Sequence, residues 1–284
     1  MIEGRGQMNY RIDTHIHTTA SDGTLYPNEL LDEIKKIGIE IFSITDHDTI
    51  GSIDEMKELI KNEDFTFIPG VEISVTYGGK EIHLLTYGNS IGNKNEKLLG
   101  ILNSNSIIRN KFEDDFMYFV AKKFKFSFNE YATYIRNPKN GGWKAENFLK
   151  EKNIISSLPD IFKLIEESKV KMSFRNPKDV IKELKEIGLI VVLAHPPAYY
   201  KGELLDIKFL DYFRSLGIDG IECYSPYYKN ILDANYYKDY CKKYDMLIMS
   251  GSDYHGDFVN TRKLGIPERY ISEKSLEKLL KLVN

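Results

Sequence analysis

Cysteine is scarce in this chain of 284 residues. Cys223 and Cys241 stand alone, without the close Cys-x-x-Cys spacing of a zinc knuckle or a redox pair. That excludes a disulfide-stapled scaffold and a thiolate metal centre, and it reads as two reduced, buried thiols in a cytoplasmic protein. Long hydrophobic runs are also missing. None reaches the length needed to span a bilayer, and no stretch has the layout of a secretory signal, so no membrane partner is expected. There is no excess of positive charge: 39 Lys and Arg against 42 Asp and Glu leave a formal net charge of −3. A wrapped nucleic-acid duplex is therefore not an expected partner, although a small basic pocket is not excluded. Tryptophan occurs once, at Trp143. Low-complexity segments and repeats of solenoid period are absent.

What remains is a chain with 42% hydrophobic residues, long enough to bury one large core or a core with an insertion. The opening Met1-Ile2-Glu3-Gly4-Arg5 reads as a protease-site scar from expression; residues 1–7 are set aside, and Met8 is the expected start. Residues 10–14 form a short apolar-alternating run. Pro27 opens an amphipathic helix, with Leu30, Leu31, Ile34 and Ile37 at helical spacing and Gly38 as its stop. Strand, helix and strand are expected at 41–45, 52–62 and 66–71. Residues 72–77 and 80–87 flank Gly78-Gly79 as a β-hairpin. Alternation resumes with helices at 177–187, 209–216, 231–244 and 273–282 and strands at 189–194, 218–224 and 246–250. Apolar strands alternating with helices imply a parallel sheet covered on both faces, most simply a complete or distorted α/β barrel. Between the halves, residues 93–176 show helical periodicity without buried strands. The expected organisation is a barrel from 8–92 and 177–284 with a helical insertion over 93–176.

The six histidines, His15, His17, His47, His83, His195 and His255, each fall at or just after the C-terminal end of an expected strand, or in the hairpin that follows one. In parallel α/β folds that face carries the active site. His15-x-His17 and Asp253-x-His255 place two side chains on one side of an extended segment. Asp22 sits in a Ser-Asp-Gly turn, and Glu72 ends the third strand. Imidazole plus carboxylate is the ligand set of zinc, manganese or iron. Any one of these residues alone is as readily a satisfied core or loop residue; their convergence is what points to a metal centre.

Asp13-Thr14-His15-Ile16-His17 through Ser21-Asp22-Gly23-Thr24 resembles the first motif of the PHP (polymerase and histidinol phosphatase) superfamily. Ile44-Thr45-Asp46-His47-Asp48-Thr49 is similar to the second. Gly70-Val71-Glu72-Ile73-Ser74, Ile82-His83-Leu84-Leu85, Gly220-Ile221-Glu222, Leu193-Ala194-His195-Pro196 and Gly251-Ser252-Asp253-Tyr254-His255-Gly256 are similar to the others. The resemblance implies a distorted (β/α)7 TIM-like barrel and two or three divalent ions (manganese, iron or zinc). It implies His15, His17, Glu72 and Asp253 around one ion, Asp22, His47 and His255 around a second, and Glu72, His83 and His195 around a third. Asp22, His47, His195 and His255 are the candidate catalytic residues, and no serine or cysteine nucleophile is motif-placed. Asp13 and Asp46 are read as groups that orient ligand histidines, or else as loop and capping carboxylates.

Within that superfamily the first two motifs most resemble stand-alone phosphoesterases acting on nucleoside monophosphates, 3′,5′-bisphosphates and short oligonucleotides. Many of those carry an Arg-Pro-His triplet where this chain has Gly141-Gly142-Trp143-Lys144. Arg109, Lys111, Lys144 and Arg175 are candidate phosphate contacts, each with a solvated surface charge as the alternative. Trp143 could stack on a base or pack the insertion onto the barrel. The tyrosines Tyr224, Tyr227 and Tyr228 are candidates for the pocket mouth. A phosphatase for a small metabolite such as histidinol phosphate, and a non-catalytic metal-bound module, are the competing readings.

Overall fold

Strands form where β-branched and apolar residues cluster, and both of their faces are covered. In the computed structural model, which describes residues 11–92, 94–200, 203–228, 230, 233–267 and 273–281, β1 (Ile12–Ile16) pairs in parallel with β2 (Ile41–Ile44), and β2 with β3 (Thr66–Phe67). Between them run α1 (Pro27–Ile37) and α2 (Ile53–Leu59). Pro27 occupies the first turn of α1, Glu29 Oε2 accepts from the Tyr26 N–H at 2.9 Å, and Leu30, Leu31 and Ile34 turn inward. Helix α2 is shorter than the expected 52–62: Ile60 caps it, and the polar Lys61–Asp64 stretch offers no apolar residue to bury.

The strand expected over 66–71 is broken. Pro69 has no N–H to give a ladder; β3 stops at Phe67, and β4 (Gly70–Tyr77) begins a second sheet. Strand β4 turns through Gly78-Gly79 into β5 (Lys80–Tyr87); both glycines have positive φ (59° and 75°), the backbone a tight hairpin turn requires. The second sheet continues through β6 (Ile190–Leu193), β7 (Gly220–Tyr224) and β8 (Leu247–Ser250). The hairpin makes β4–β5 and β5–β6 antiparallel, whereas β6–β7 and β7–β8 are parallel, so the fold is mixed rather than wholly parallel.

Backbone links join the two sheets at both ends. Ile16 bridges Tyr254 just past β8, with the His17 N–H to Tyr254 carbonyl at 2.9 Å. His47 just past β2 bridges Glu72 on β4. Alternate strand residues fill two apolar layers. Ile12, Ile41, Leu85, Tyr87, Ile190, Val192, Leu247 and Met249 pack in one, while Ile16, Phe42, Ile44, Ile73, Leu84, Val191, Leu193 and Ile221 pack beneath the helices. Helices α7 (Pro177–Glu186), α8 (Ile207–Ser215), α9 (Asp233–Lys243) and α10 (Glu273–Leu280) complete the alternation.

Between β5 and α7 lie α3 (Glu96–Phe124), α4 (Phe128–Ala132), α5 (Lys144–Glu151) and α6 (Leu158–Ser168). They share an apolar cluster of their own, centred on Phe116, Val120, Tyr131, Phe148, Leu149 and Ile161. No helix of the described residues is long and apolar enough to cross a membrane. The expected scar at 1–7, the start at Met8 and the outer ends of the runs expected at 10–14, 231–244 and 273–282 lie outside the described residues.

Candidate metal centre and its cavity

The strand ends that close the two sheets bring all six histidines together. Neighbouring rings stand 4.0–6.1 Å apart, from His17 on His255 (4.0 Å, stacked) to His47 beside His255 (6.1 Å). His15 lies within β1 rather than after it, and His17 follows the strand. Their Nε2 atoms face each other at 3.1 Å, the same-side geometry expected of the pair. Glu72 Oε2 lies 3.1 Å from His15 Nε2 and 3.2 Å from His17 Nε2. Asp253 Oδ1 lies 3.2 and 3.1 Å from the same two atoms. Asp253 reaches them from a left-handed residue (φ 49°) beyond β8, so its placement is set by a turn and not by strand alternation.

Around this quartet, His47 Nδ1 is 3.2 Å from Glu72 Oε2, and His255 Nε2 is 3.4 Å from Asp22 Oδ1. On the far side of Glu72, its Oε1 lies 2.9 Å from His195 Nε2 and 3.1 Å from His83 Nδ1, and those two nitrogens are 3.3 Å apart. Three groups of donors could each hold a metal ion: His15, His17, Glu72 and Asp253; His17, Asp22, His47 and His255; and His47, Glu72 and His83. The last two differ from the expected division by sharing His17 and His47 between neighbours, with His195 beside the third.

The donors fit cations. Ligands held tetrahedrally at ~2.0–2.1 Å stand roughly 3.3 Å from one another, close to the 3.1–3.2 Å separations in the first group. Nδ1 of His17, His47 and His195 is buried without a well-formed hydrogen bond, an arrangement that is costly when only protein surrounds it. Electrostatics agree. Burial alone would lower His17 and His83, but the carboxylates around them raise His17 to about 9 and His83 to about 10. Burial holds His47 down at about 3 despite Glu72 and Asp22. Burial would raise Asp22, Glu72 and Asp253, yet neighbouring histidines, and Arg262 for Asp253, hold all three well below the usual carboxylate range.

Some of the outward ring nitrogens are held by other groups. Glu222 on β7 contacts His15 Nδ1 at 2.9 Å, and the Asp253 carbonyl contacts His255 Nδ1 at 2.7 Å. Among the described residues, Asp13 and Asp46 hydrogen-bond to no ring. Asp13 accepts from the backbone of His15, Ser252 and Gly265, and Asp46 from Thr18, Ser21 and Ser52, so both fix loops instead of imidazoles. Three backbone positions at the site have left-handed φ: Asp48 (51°), His195 (22°) and Asp253 (49°).

The cluster opens into a cavity of about 580 Å³. Asp22, His47, His83, His195, Asp253 and His255 line it, together with Phe112, Phe116, Trp143, Ile161, Phe162 and Met172. Trp143 tilts against His47 at 6.1 Å, and the Gly142 N–H just before it donates to the Asp22 carbonyl at 2.8 Å, tying the helical segment to the centre. Among the described residues the lining holds two arginines and no lysine, and both arginines are ion-paired: Arg109 with Asp48 and Glu81 (3.1 Å each), and Arg262 with Asp253 (2.7 Å).

The other expected phosphate contacts do not reach the cavity. Lys111 is exposed and pairs with Asp115, Lys144 donates to the Ala132 carbonyl and covers the Tyr131 ring, and Arg175 pairs with Glu183. Of the three tyrosines, Tyr227 lines the cavity and donates to Asp253 Oδ2 at 2.7 Å. Glu81 and Arg262 went unnoticed in the sequence; Glu81-x-His83 repeats the two-residue spacing that flagged the other ligands and could have been found by it.

Such a cluster of imidazoles and carboxylates at the strand ends of an α/β fold defines a metal-dependent phosphoester hydrolase. The chain belongs to the PHP domain family, whose model matches residues 13–283. It is 26% identical over 87% of its length to a 5′-3′ exoribonuclease of Haemophilus influenzae, covering 91% of that protein. It is 24% identical over 90% of its length to a 3′,5′-nucleoside bisphosphate phosphatase of Chromobacterium violaceum, again covering 91% of it. A crystal structure from Bifidobacterium adolescentis, with a provisional metal-dependent phosphoesterase assignment, shares the fold at a TM-score of 0.79, with 21% identity and 95% of each chain covered.

Proposed function

We propose that this chain hydrolyses phosphate esters of nucleosides (nucleoside phosphates, nucleoside 3′,5′-bisphosphates or short oligonucleotides) in the cytoplasm. The centre would use two or three divalent ions, manganese, iron or zinc, at the mouth of a distorted α/β barrel formed by the two linked sheets, with residues 93–176 as a helical insertion. The backbone links between the two sheets support the barrel reading. The observation that carries the function is the cavity: metal-ligand side chains and aromatic and apolar side chains, Trp143 among them, line the same space, which suits a phosphate joined to a flat base.

His15, His17, Glu72 and Asp253 would hold one ion, Asp22, His47 and His255 a second, and Glu72, His83 and His195 a third. Bound there, such ions acidify water towards neutrality and offset charge on the phosphoryl oxygens. The chain's own groups do the rest. Glu222 and the Asp253 carbonyl fix the rings of His15 and His255. Phe112, Phe116, Ile161 and Met172 exclude water around the organic part of the substrate, and Trp143 offers a face for stacking. No serine or cysteine lines this cavity among the described residues, in keeping with direct hydrolysis.

The test compares kcat/KM, with manganese, for a nucleoside 3′,5′-bisphosphate, a mononucleotide, a short oligonucleotide and histidinol phosphate. Stacking contributes ~1–3 kcal/mol per base, so nucleoside-bearing substrates should lead by roughly 10- to 100-fold at ~1.4 kcal/mol per decade. A preference for histidinol phosphate would overturn the nucleoside assignment.

A further inference from the structure

His83 is the one histidine in the centre whose outward nitrogen meets a carboxylate from its own strand. On β5, Glu81 and His83 are two residues apart and share a face. Glu81 Oε1 lies 3.1 Å from His83 Nε2, while His83 Nδ1 faces Glu72 and His195. Arg109 on α3 holds the other side of the same oxygen: its Nη2 is 3.1 Å from Glu81 Oε1, 3.1 Å from Asp48 Oδ2 and 2.9 Å from Ser74 Oγ. Asp48 follows His47 directly; its Oδ1 accepts from the Ser74 N–H at 3.0 Å and from Asn105 of α3 at 2.6 Å. The guanidinium also lies over the rings of Trp143 (4.4 Å) and Phe174 (5.1 Å).

A cation already shared by two carboxylates and flanked by two aromatic rings is poorly placed to clamp a substrate phosphate. Its side chain is only 13% exposed; Nη2 makes all of these polar contacts, and Nε is buried without a partner. The geometry points to a different role: Arg109 and Glu81 form a positioning pair that sets His83 with Nε2–H directed outward and the Nδ1 lone pair directed at the centre. Through Asp48 the same arginine anchors the loop that carries His47. An imidazole fixed in one tautomer by an acceptor on its outward nitrogen is the better ligand, and loss of such a partner typically costs ~10–100-fold in metal affinity. Without Arg109 the two carboxylates repel each other, and Glu81 is free to turn from the ring. The inference rests on the metal-centre reading but not on the choice of substrate.

The experiment is a manganese titration of the full chain after chelator treatment, following free manganese by its paramagnetic resonance signal, with no substrate present. Glu81→Met should weaken one manganese equivalent by ~10–100-fold. Glu81→Gln, which keeps an acceptor but not the charge, should fall between it and the wild type. Arg109→Lys should weaken the same equivalent. In Glu81→Met/Arg109→Lys the loss should be no larger than in Glu81→Met alone, because both act through one contact. Thermal melts of the chelated proteins separate this from a merely structural effect, which would lower the melting temperature and leave the manganese affinity of the folded chain unchanged. Wild-type manganese binding by Glu81→Met overturns the proposal whatever the arginine variants do. So does an Arg109→Lys protein with unaltered manganese binding and a raised KM for nucleotide, since that is the behaviour of a phosphate clamp.

Discussion

Asp253 ties several parts of the centre together. Its Oδ1 faces both His15 and His17, its Oδ2 takes Arg262 and Tyr227 at 2.7 Å each, and its carbonyl holds His255. Asp253→Asn keeps the shape but replaces one oxygen with an amide nitrogen that cannot donate a lone pair. As a direct contact it should cost at least the upper end of the ~10–100-fold seen for outer partners: kcat/KM should drop by ~100-fold or more while circular dichroism stays native. Lys111→Ala in the same assay should change little, because an exposed ion pair contributes ~0–1 kcal/mol. Near-native turnover by Asp253→Asn would remove this residue from the centre. At this scale the nine ligand candidates were legible because their chemistry and their place at strand ends agreed. The basic residues were not. Lys111 lies two positions from Arg109, a rotation of about 200° around a helix, and nothing in its identity says which side faces the cavity.

Elements were legible where a period and a stop signal coincided. Helix α1 has both, with Pro27 and Gly38 at its ends; α3 runs 29 residues and showed only as helical periodicity in a polar segment. The break between β3 and β4 was hidden because residues 66–71 look continuous until Pro69 is weighed as a missing donor. Strand β8 makes the sharpest demand on sequence. Just past its end is Gly251, where an added Cβ would stand 2.2 Å from His15 Cβ and 2.5 Å from Glu222 Oε1. Gly251→Ala must therefore push β8 away from β1 and disturb the carboxylate that holds the His15 ring. Overpacking of this kind typically costs ~1–3 kcal/mol. We expect a lowered melting temperature together with weakened manganese binding; a variant with wild-type melting and metal content would show that the strand end yields more easily than the contact distances imply.

At the scale of the whole molecule, many of the buried polar groups among the described residues gather at the centre. His15, His17, His195, His255, Asp22, Glu72, Glu222 and Asp253 are all less than one-tenth exposed. Cations that bind the folded chain and not the unfolded one stabilise it by mass action, ~2.7 kcal/mol per site at a hundredfold excess over Kd. Protein purified without chelator should carry two or three transition-metal equivalents by elemental analysis. Chelation should lower the melting temperature by several degrees and abolish turnover, and manganese should restore both. Less than one equivalent after manganese or iron supplementation would count decisively against the centre. The alternation of strands and helices made the α/β class legible from the sequence. The mixed strand directions were harder to see, since a hairpin at Gly78-Gly79 fixes its own two strands but not the direction in which β6 joins them.

The left-handed backbone at Asp48, His195 and Asp253 has a bearing on how this protein can change over time. A residue other than glycine held there carries strain of ~1–3 kcal/mol. Glycine at 195 would relieve that strain and delete an imidazole from the cavity wall. A population of variants sorted by heat resistance without metal would thus be drawn towards substitutions that empty the site, and sorting for turnover would draw it back. Durability and activity pull against each other at position 195, within one residue's torsion angle.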